Sequence, residues 1–136
     1  MRSLIFLTTL FFAAQVAFLF STCTYDEINL GGGSACDTLN DVTYDNQIKA
    51  IVDNSCAYSG CHVPGGVGTG DYRTYAGMLS ALQSGSMVDR VVVQKNDPSL
   101  GMPPDNSVYV ESTKDNLTEE ELLIFQCWLN AGFPEN

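Results

Sequence analysis

The residues with the clearest chemical capacity lie in one short stretch, NSCAYSGCHVPGG, at positions 54–66. Four residues separate Cys56 from Cys61, and His62, the single histidine of the chain, follows Cys61 directly. Thiols form covalent bonds and bind soft metals, and a neutral imidazole binds a metal through one ring nitrogen. The arrangement therefore predicts a disulfide loop, part of a metal site, or a covalent attachment site for a prosthetic group.

Covalent haem attachment explains all three residues. Its usual pattern is C-x-x-C-H, in which two thiols form thioethers with the porphyrin and the adjacent histidine binds the iron. Here the pattern is C-x-x-x-x-C-H, so two additional residues must loop outward, and Ser59 and Gly60 suit such a turn. A Cys56–Cys61 disulfide would leave His62 unexplained, and zinc would need four Cys or His ligands. We favour haem attachment, with Cys56 and Cys61 as the thioether residues.

A second axial ligand of the iron is expected to come from a methionine. Met102 lies in NDPSLGMPPDN, residues 96–106, where three prolines and a glycine exclude regular structure. Two prolines directly after Met102 stiffen the backbone that would hold its sulfur. Met87 is the alternative, because Met78 has the spacing of ordinary helix core. The metal ligands predicted here are His62 and Met102.

The elements that must position these residues are predicted to be helices. Tyr44 to Asp53 has helical apolar spacing, with Thr43 or Asp45 as the cap, and leads directly into Cys56. A second helix is expected after Asp71 as its cap, ending at Gly85. Residues 87–93 could form a helix or a strand.

The last element is predicted from its ends. Thr118 and Glu121 have the spacing of a capping box, and Gly132 and Pro134 end the helix. The sequence has no internal repeat and no second domain. We therefore expect an all-α fold.

Residues 36–136 resemble a small monohaem cytochrome c domain of an exported bacterial type. The resemblance rests on IKAIVDNSCAYSGCH, on the MPP some forty residues later, and on the closing WLNAGFPEN. It implies three to four helices wrapped around one covalent haem c, His62 and Met102 as axial ligands, and electron transfer without enzymatic catalysis. A haem pocket would include Tyr58 beside the attachment cysteines and an apolar set of Val63, Leu79, Leu122, Phe125 and Trp128, although Trp128 could equally be plain helix core and Tyr58 could face water.

Residues 1–22 read as a signal peptide, because an apolar run follows Arg2 and ends in small polar residues. FSTC, ending at Cys23, resembles the lipobox of bacterial lipoproteins, which implies that Cys23 is lipidated. Residues 23–35 are polar and rich in glycine, as a flexible tether would be. We expect an exported protein, held by lipid on the periplasmic side of a bacterial membrane or on the cell surface, with an uncleaved anchor as the alternative.

The net charge of the chain limits the kinds of partner that it can bind. The chain of 136 residues has a net charge of −10, which becomes −11 once Arg2 is removed with residues 1–22. Nucleic-acid binding is excluded, because clusters of Lys and Arg are missing from the sequence, and a redox partner with a basic patch is expected.

A disulfide between Cys36 and Cys127 is the economical pairing in an oxidising compartment, with two separate thiols as the alternative.

Two other functions remain open from the sequence alone. One is a peroxidase-like haem enzyme or a gas sensor with an open iron position. The other is a haem-free interaction domain held together by disulfides.

Overall fold

The computed structural model describes residues 33–39 and 41–136. In this part of the chain the helices are α1 (Gly33–Cys36), α2 (Lys49–Ser55), α3 (Tyr75–Gln83), α4 (Ser86–Val88) and α5 (Glu119–Asn130). A π-helical turn, Tyr44–Ile48, leads into α2, and a second, Asp89–Val93, continues α4. The described residues contain no strand, so the expected all-helical secondary structure is confirmed for them. The predicted signal peptide, Cys23 and the tether up to residue 32 lie outside the described residues.

The first long helical segment begins at Thr43. Its backbone is extended and its hydroxyl accepts the N–H of Asn46 at 3.3 Å, which satisfies one of the free N–H groups at a helix start. Of the two predicted caps, Thr43 is therefore the correct one. Ile48 and Val52 are almost fully buried on one face of this segment. The helix ends at Ser55, and Cys56 is the residue directly after it.

The cap predicted for α3 was wrong. Thr74, not Asp71, precedes the helix with an extended backbone, and its side chain accepts the N–H of Gly77 at 3.2 Å. The Asp71 carboxylate instead accepts two hydrogen bonds from the guanidinium of Arg73, at 2.8 and 2.7 Å. Because α3 begins at Tyr75, Asp71 lies three residues before the cap position.

Residues 87–93 are helical in the structure, which decides between the two predicted alternatives. Gly85, with φ of +76°, separates α3 from α4. Met87 and Val91 are both buried, four residues apart, which places them on one helix face. Periodicity could not decide this from sequence, because the segment is short.

The last helix has the predicted capping box. The Thr118 hydroxyl accepts the N–H of Glu121 at 3.2 Å, and the Glu121 carboxylate accepts the N–H of Thr118 at 2.8 Å. The same carboxylate forms an ion pair with Lys114 at 2.7 Å. Although burial raises it, the hydrogen bonds from Lys114 and Thr118 hold the pKa of Glu121 below its ordinary value.

The core lies between the π-helical turn Tyr44–Ile48, α3 and α5. Its most buried large side chains are Trp128, Phe125, Ile48, Met78 and Val52. Beyond α5 the chain folds back over this core: the Pro134 carbonyl accepts hydrogen bonds from the Tyr44 N–H at 3.0 Å and from the Trp128 ring N–H at 2.9 Å. The C-terminal segment thereby joins the first and last long helical segments.

A disulfide pairs Cys36 with Cys127. It connects α1 to α5 across a sequence separation of 91 residues. Among the described residues, no helix has the length and apolar character needed to cross a membrane.

Candidate functional site

The six residues from Cys56 to Cys61 form a turn that brings the chain back beside its starting point. The Cys61 N–H donates to the Tyr58 carbonyl at 3.0 Å, and the His62 N–H donates to the Cys56 carbonyl at 3.0 Å. Gly60 has a φ of +93°, a backbone conformation that favours glycine. The turn thus accommodates the two additional residues of this motif, and His62 returns to within one hydrogen bond of Cys56.

The two thiols of this turn are not paired with each other. Cys61 is buried and Cys56 is partly buried, and both are free cysteines. Burial, and then the nearby Cys61, raise the pKa of Cys56 to about 12, so its thiol is protonated at neutral pH. Neither sulfur atom is therefore committed to a disulfide.

His62 has a fixed tautomer in this arrangement. Its Nδ1 lies 2.9 Å from the Thr69 carbonyl oxygen, and because a carbonyl only accepts, Nδ1 must donate the hydrogen. Burial lowers the pKa of His62, against the opposing effect of the Thr69 hydrogen bond, which favours the neutral ring. A neutral imidazole protonated at Nδ1 has a free lone pair on Nε2, the state in which histidine binds a metal.

Two adjoining cavities open beside this histidine. The larger has a volume of about 280 Å³ and the smaller one of about 80 Å³. Five residues line both: Cys56, His62, Val67, Gly68 and Met102. Cys61 lines only the smaller cavity, whereas Met87 lines only the larger one. The structure thus brings the predicted thioether residues, the predicted histidine ligand and both candidate methionines to the same two cavities.

Met102 is held in its irregular segment by contacts with the π-helical turn Asp89–Val93. Its N–H donates to the Arg90 carbonyl at 3.0 Å, and the Arg90 guanidinium donates to the Leu100 carbonyl at 2.9 Å. Asp97 stabilises the start of the segment, because its carboxylate accepts the N–H groups of Ser99 and Leu100 at 2.9 and 2.8 Å. These hydrogen bonds fix the backbone on which the thioether is mounted.

The donor set and the wall of the site fit an iron porphyrin in chemical terms. Two thiols, one imidazole with a free Nε2 and a thioether are the groups used to hold haem c. The Ser55 hydroxyl, in the wall of the smaller cavity, is buried and finds no hydrogen-bond partner among the described residues, so it could donate to a bound group. A Cβ at Gly68 would lie 2.7 Å from the His62 ring, so the backbone there approaches the predicted ligand as only glycine can.

The residues that the sequence analysis predicted for the haem pocket do not line either cavity. Phe125 and Trp128 are almost fully buried in the core and contact each other edge-to-face with ring centroids 5.4 Å apart. The Tyr58 hydroxyl accepts the Thr113 N–H at 3.1 Å. The lining residues of the two cavities do not include these three side chains, nor those of Val63, Leu79 and Leu122.

Several lining residues were missed by the sequence analysis. Tyr72, Arg90 and Val91 line the larger cavity, and Tyr109 and Glu111 line the smaller one. Gly68 belongs to a glycine-rich stretch, residues 65–70, to which the sequence analysis assigned no role. The Thr69 contact uses a main-chain carbonyl, which every residue type provides, so no sequence signal could have found it.

We compared the chain with known protein families, curated proteins and solved structures. No family model, no curated protein and no solved structure matches the chain. Within residues 33–39 and 41–136, no group of three or more His, Cys, Asp or Glu side chains is arranged to hold a metal ion.

Proposed function

We propose that the chain is a small electron carrier with one haem c, attached through Cys56 and Cys61 and coordinated by His62 and Met102. The observation that carries the proposal is the convergence of these four residues on two adjoining cavities, with His62 already in the tautomer that leaves Nε2 free. The all-helical secondary structure of the described residues is compatible with a cytochrome c-like domain.

The two cysteines would act as covalent anchors. Each thiol adds across one vinyl group, so that one S–C bond forms, the thiol hydrogen goes to the other vinyl carbon, and no oxidant is needed. Cys56 follows the end of α2, and the His62 N–H bond to the Cys56 carbonyl holds both ends of the turn together. This turn would keep the imidazole next to the attached ring system.

The bound group would supply the redox chemistry, a one-electron change of the iron. Met102 would raise the reduction potential relative to a second histidine, since thioether ligation favours the reduced iron. The Thr69 carbonyl would hold the His62 ring with Nδ1 protonated, so that Nε2 is the nitrogen that would bind the iron. In this proposal the chain has no catalytic acid, base or nucleophile.

The proposed setting is the periplasmic side of a bacterial membrane or the cell surface, with Cys23 lipidated and the residues between Cys23 and α1 as a tether. With residues 1–22 removed, the net charge of −11 would attract redox partners that present a basic patch. Association with such partners should weaken as the salt concentration rises.

The test is the absorption spectrum of protein exported by a bacterial host that attaches haem c. We expect a red protein whose haem resists acid–acetone extraction, with a six-coordinate spectrum in both oxidation states. Ready binding of carbon monoxide and turnover of peroxide by the wild type would support an open-site enzyme or sensor instead. A colourless protein would favour the haem-free interaction domain.

A further inference from the structure

The imidazole of His62 is covered on one face by Tyr72. The two rings are stacked with centroids 4.1 Å apart and planes only 4° from parallel. Tyr72 also lines the larger cavity. A parallel stack of this kind resists rotation of the imidazole about its bond to the Cβ atom, because rotation would drive the ring edge into the tyrosine.

Gly68 covers the other face of the imidazole. A Cβ built on Gly68 would lie 2.7 Å from Nδ1 and 2.8 Å from both Cε1 and Cγ of His62. Nearly equal distances to three adjacent ring atoms place this position above the ring plane, not at its edge. Since Tyr72 already occupies one face, a side chain at position 68 would lie against the opposite one.

Residues 68–72, which include Gly68 and Tyr72, also form hydrogen bonds with His62. The Tyr72 N–H donates to the His62 carbonyl at 2.9 Å, and the Thr69 carbonyl contacts Nδ1 at 2.9 Å. Residues 68–72 therefore touch the two faces of the imidazole, its Nδ1 edge and its backbone. None of these contacts uses Nε2, and His62 lines both cavities.

We propose that Tyr72 and Gly68 are positioning residues that fix the plane of the His62 imidazole and so its orientation as an axial ligand. This inference rests on the proposed function, because it concerns how the predicted ligand is held. Neither Tyr72 nor Gly68 would bind the iron; both would act through the imidazole. Pre-set ring orientation lets a ligand bind its metal without losing rotational freedom at that step.

The test compares Tyr72→Leu with Tyr72→Phe in the haem-loaded protein. Phenylalanine keeps the stacked ring, whereas leucine removes it. Low-temperature electron paramagnetic resonance of the ferric protein reports the orientation of the axial ligand plane. We expect Tyr72→Phe to keep the wild-type low-spin signal and Tyr72→Leu to raise the population of other ring orientations about two- to tenfold, seen as a shifted or second low-spin signal.

Gly68→Ala tests the other face independently, and Thr69→Ala is its control. The alanine Cβ at position 68 would push the imidazole out of its place and alter the signal. Thr69 contributes only its main-chain carbonyl, so Thr69→Ala should retain the wild-type signal. Thermal unfolding of each variant separates a change in ring orientation from a general loss of structure.

A wild-type signal in both Tyr72→Leu and Gly68→Ala would overturn the inference while leaving the proposed function intact. Equal changes in Tyr72→Phe and Tyr72→Leu would also overturn it, since the hydroxyl and not the stacked ring would then matter. A wild-type protein without haem overturns the proposed function itself, and this outcome is known before any variant is made.

Discussion

Three methionines lie in the described part of the chain, and each has different surroundings. Met78 is fully buried in the core. Met87 is buried in α4 and lines the larger cavity, whereas Met102 lies in an irregular segment and lines both cavities. Only the last has a sulfur-bearing side chain that faces the predicted haem site without belonging to a helix.

Replacing Met102 should therefore remove the sixth ligand. We predict that Met102→Leu lowers the midpoint reduction potential and opens the iron to carbon monoxide, because a thioether stabilises the reduced form. Electrochemistry and carbon monoxide titration measure the two effects. Met87→Leu conserves volume and should cost under about 1.5 kcal/mol in stability while keeping the wild-type potential. The assignment is wrong if Met87→Leu, and not Met102→Leu, opens the iron.

Local hydrogen bonds fix the ends of the elements around the site. The segment before Met102 is fixed by the Asp97 carboxylate, which accepts two backbone N–H groups. These N–H groups also lower the pKa of Asp97. The C-terminal helix depends in the same way on Thr118 and Glu121 at its first turn.

Loosening the segment at Asp97 should make Met102 easier to displace. We predict that Asp97→Ala raises the affinity for added imidazole about three- to tenfold, because loss of the two backbone hydrogen bonds frees the loop. Asp97→Asn keeps an acceptor oxygen in the same place and should behave as the wild type. Spectral titration with imidazole measures the affinity, and identical titrations for Asp97→Ala and the wild type would refute the role given to this turn.

The Glu121 carboxylate should make stability depend on pH in acid. Its pKa is lowered in the folded protein, so its contribution is fully present above the ordinary carboxyl pKa of 4.5 and is lost as the pH falls through the lowered folded-state value. We predict that Glu121→Gln costs about 1 kcal/mol at pH 7, and that its difference from the wild type shrinks in acid. Urea unfolding over a pH series checks this. Glu120→Gln makes the same charge change without the Lys114 ion pair, and a cost equal to that of Glu121→Gln would contradict the prediction.

Sequence reasoning succeeded where the signal is local and failed where it is tertiary. The Thr118 and Glu121 box follows from spacing alone, since both hydrogen bonds lie within one turn. Asp71 was assigned wrongly because the helix begins at Tyr75, so that Thr74 is the cap, and the Asp71 carboxylate accepts from Arg73 instead. The Tyr72 stack on His62 and the approach of Gly68 depend on how residues 62–72 fold back on themselves, which no residue spacing reveals.

On the scale of the whole molecule, the two ends of the described chain are tied together. The Cys36–Cys127 disulfide joins α1 to α5, and the Pro134 carbonyl joins the segment after α5 to Tyr44 and Trp128. The predicted haem site lies between these tied elements in sequence, on the turn after α2 and on the segment before α5. The disulfide thus closes the loop that contains every predicted haem ligand.

Removing this disulfide should destabilise the fold strongly. A closed loop of this length is worth about 4 to 5 kcal/mol in the chain-entropy model. We therefore predict that the double variant Cys36→Ser, Cys127→Ser unfolds at a much lower urea concentration than the wild type, with both proteins measured in the same haem state. The reduced wild type should match the double variant, whereas an unchanged midpoint would show that the crosslink adds nothing to stability.

The intact mass of the exported, purified protein tests the central claim most directly. We predict the mass of the processed chain plus one haem, retained under denaturing conditions, in the wild type and in the Cys36→Ser, Cys127→Ser control. In the double variant Cys56→Ser, Cys61→Ser the covalent haem should be lost. A wild-type mass that corresponds to the polypeptide without haem, from a host that loads other c-type cytochromes, would contradict the account.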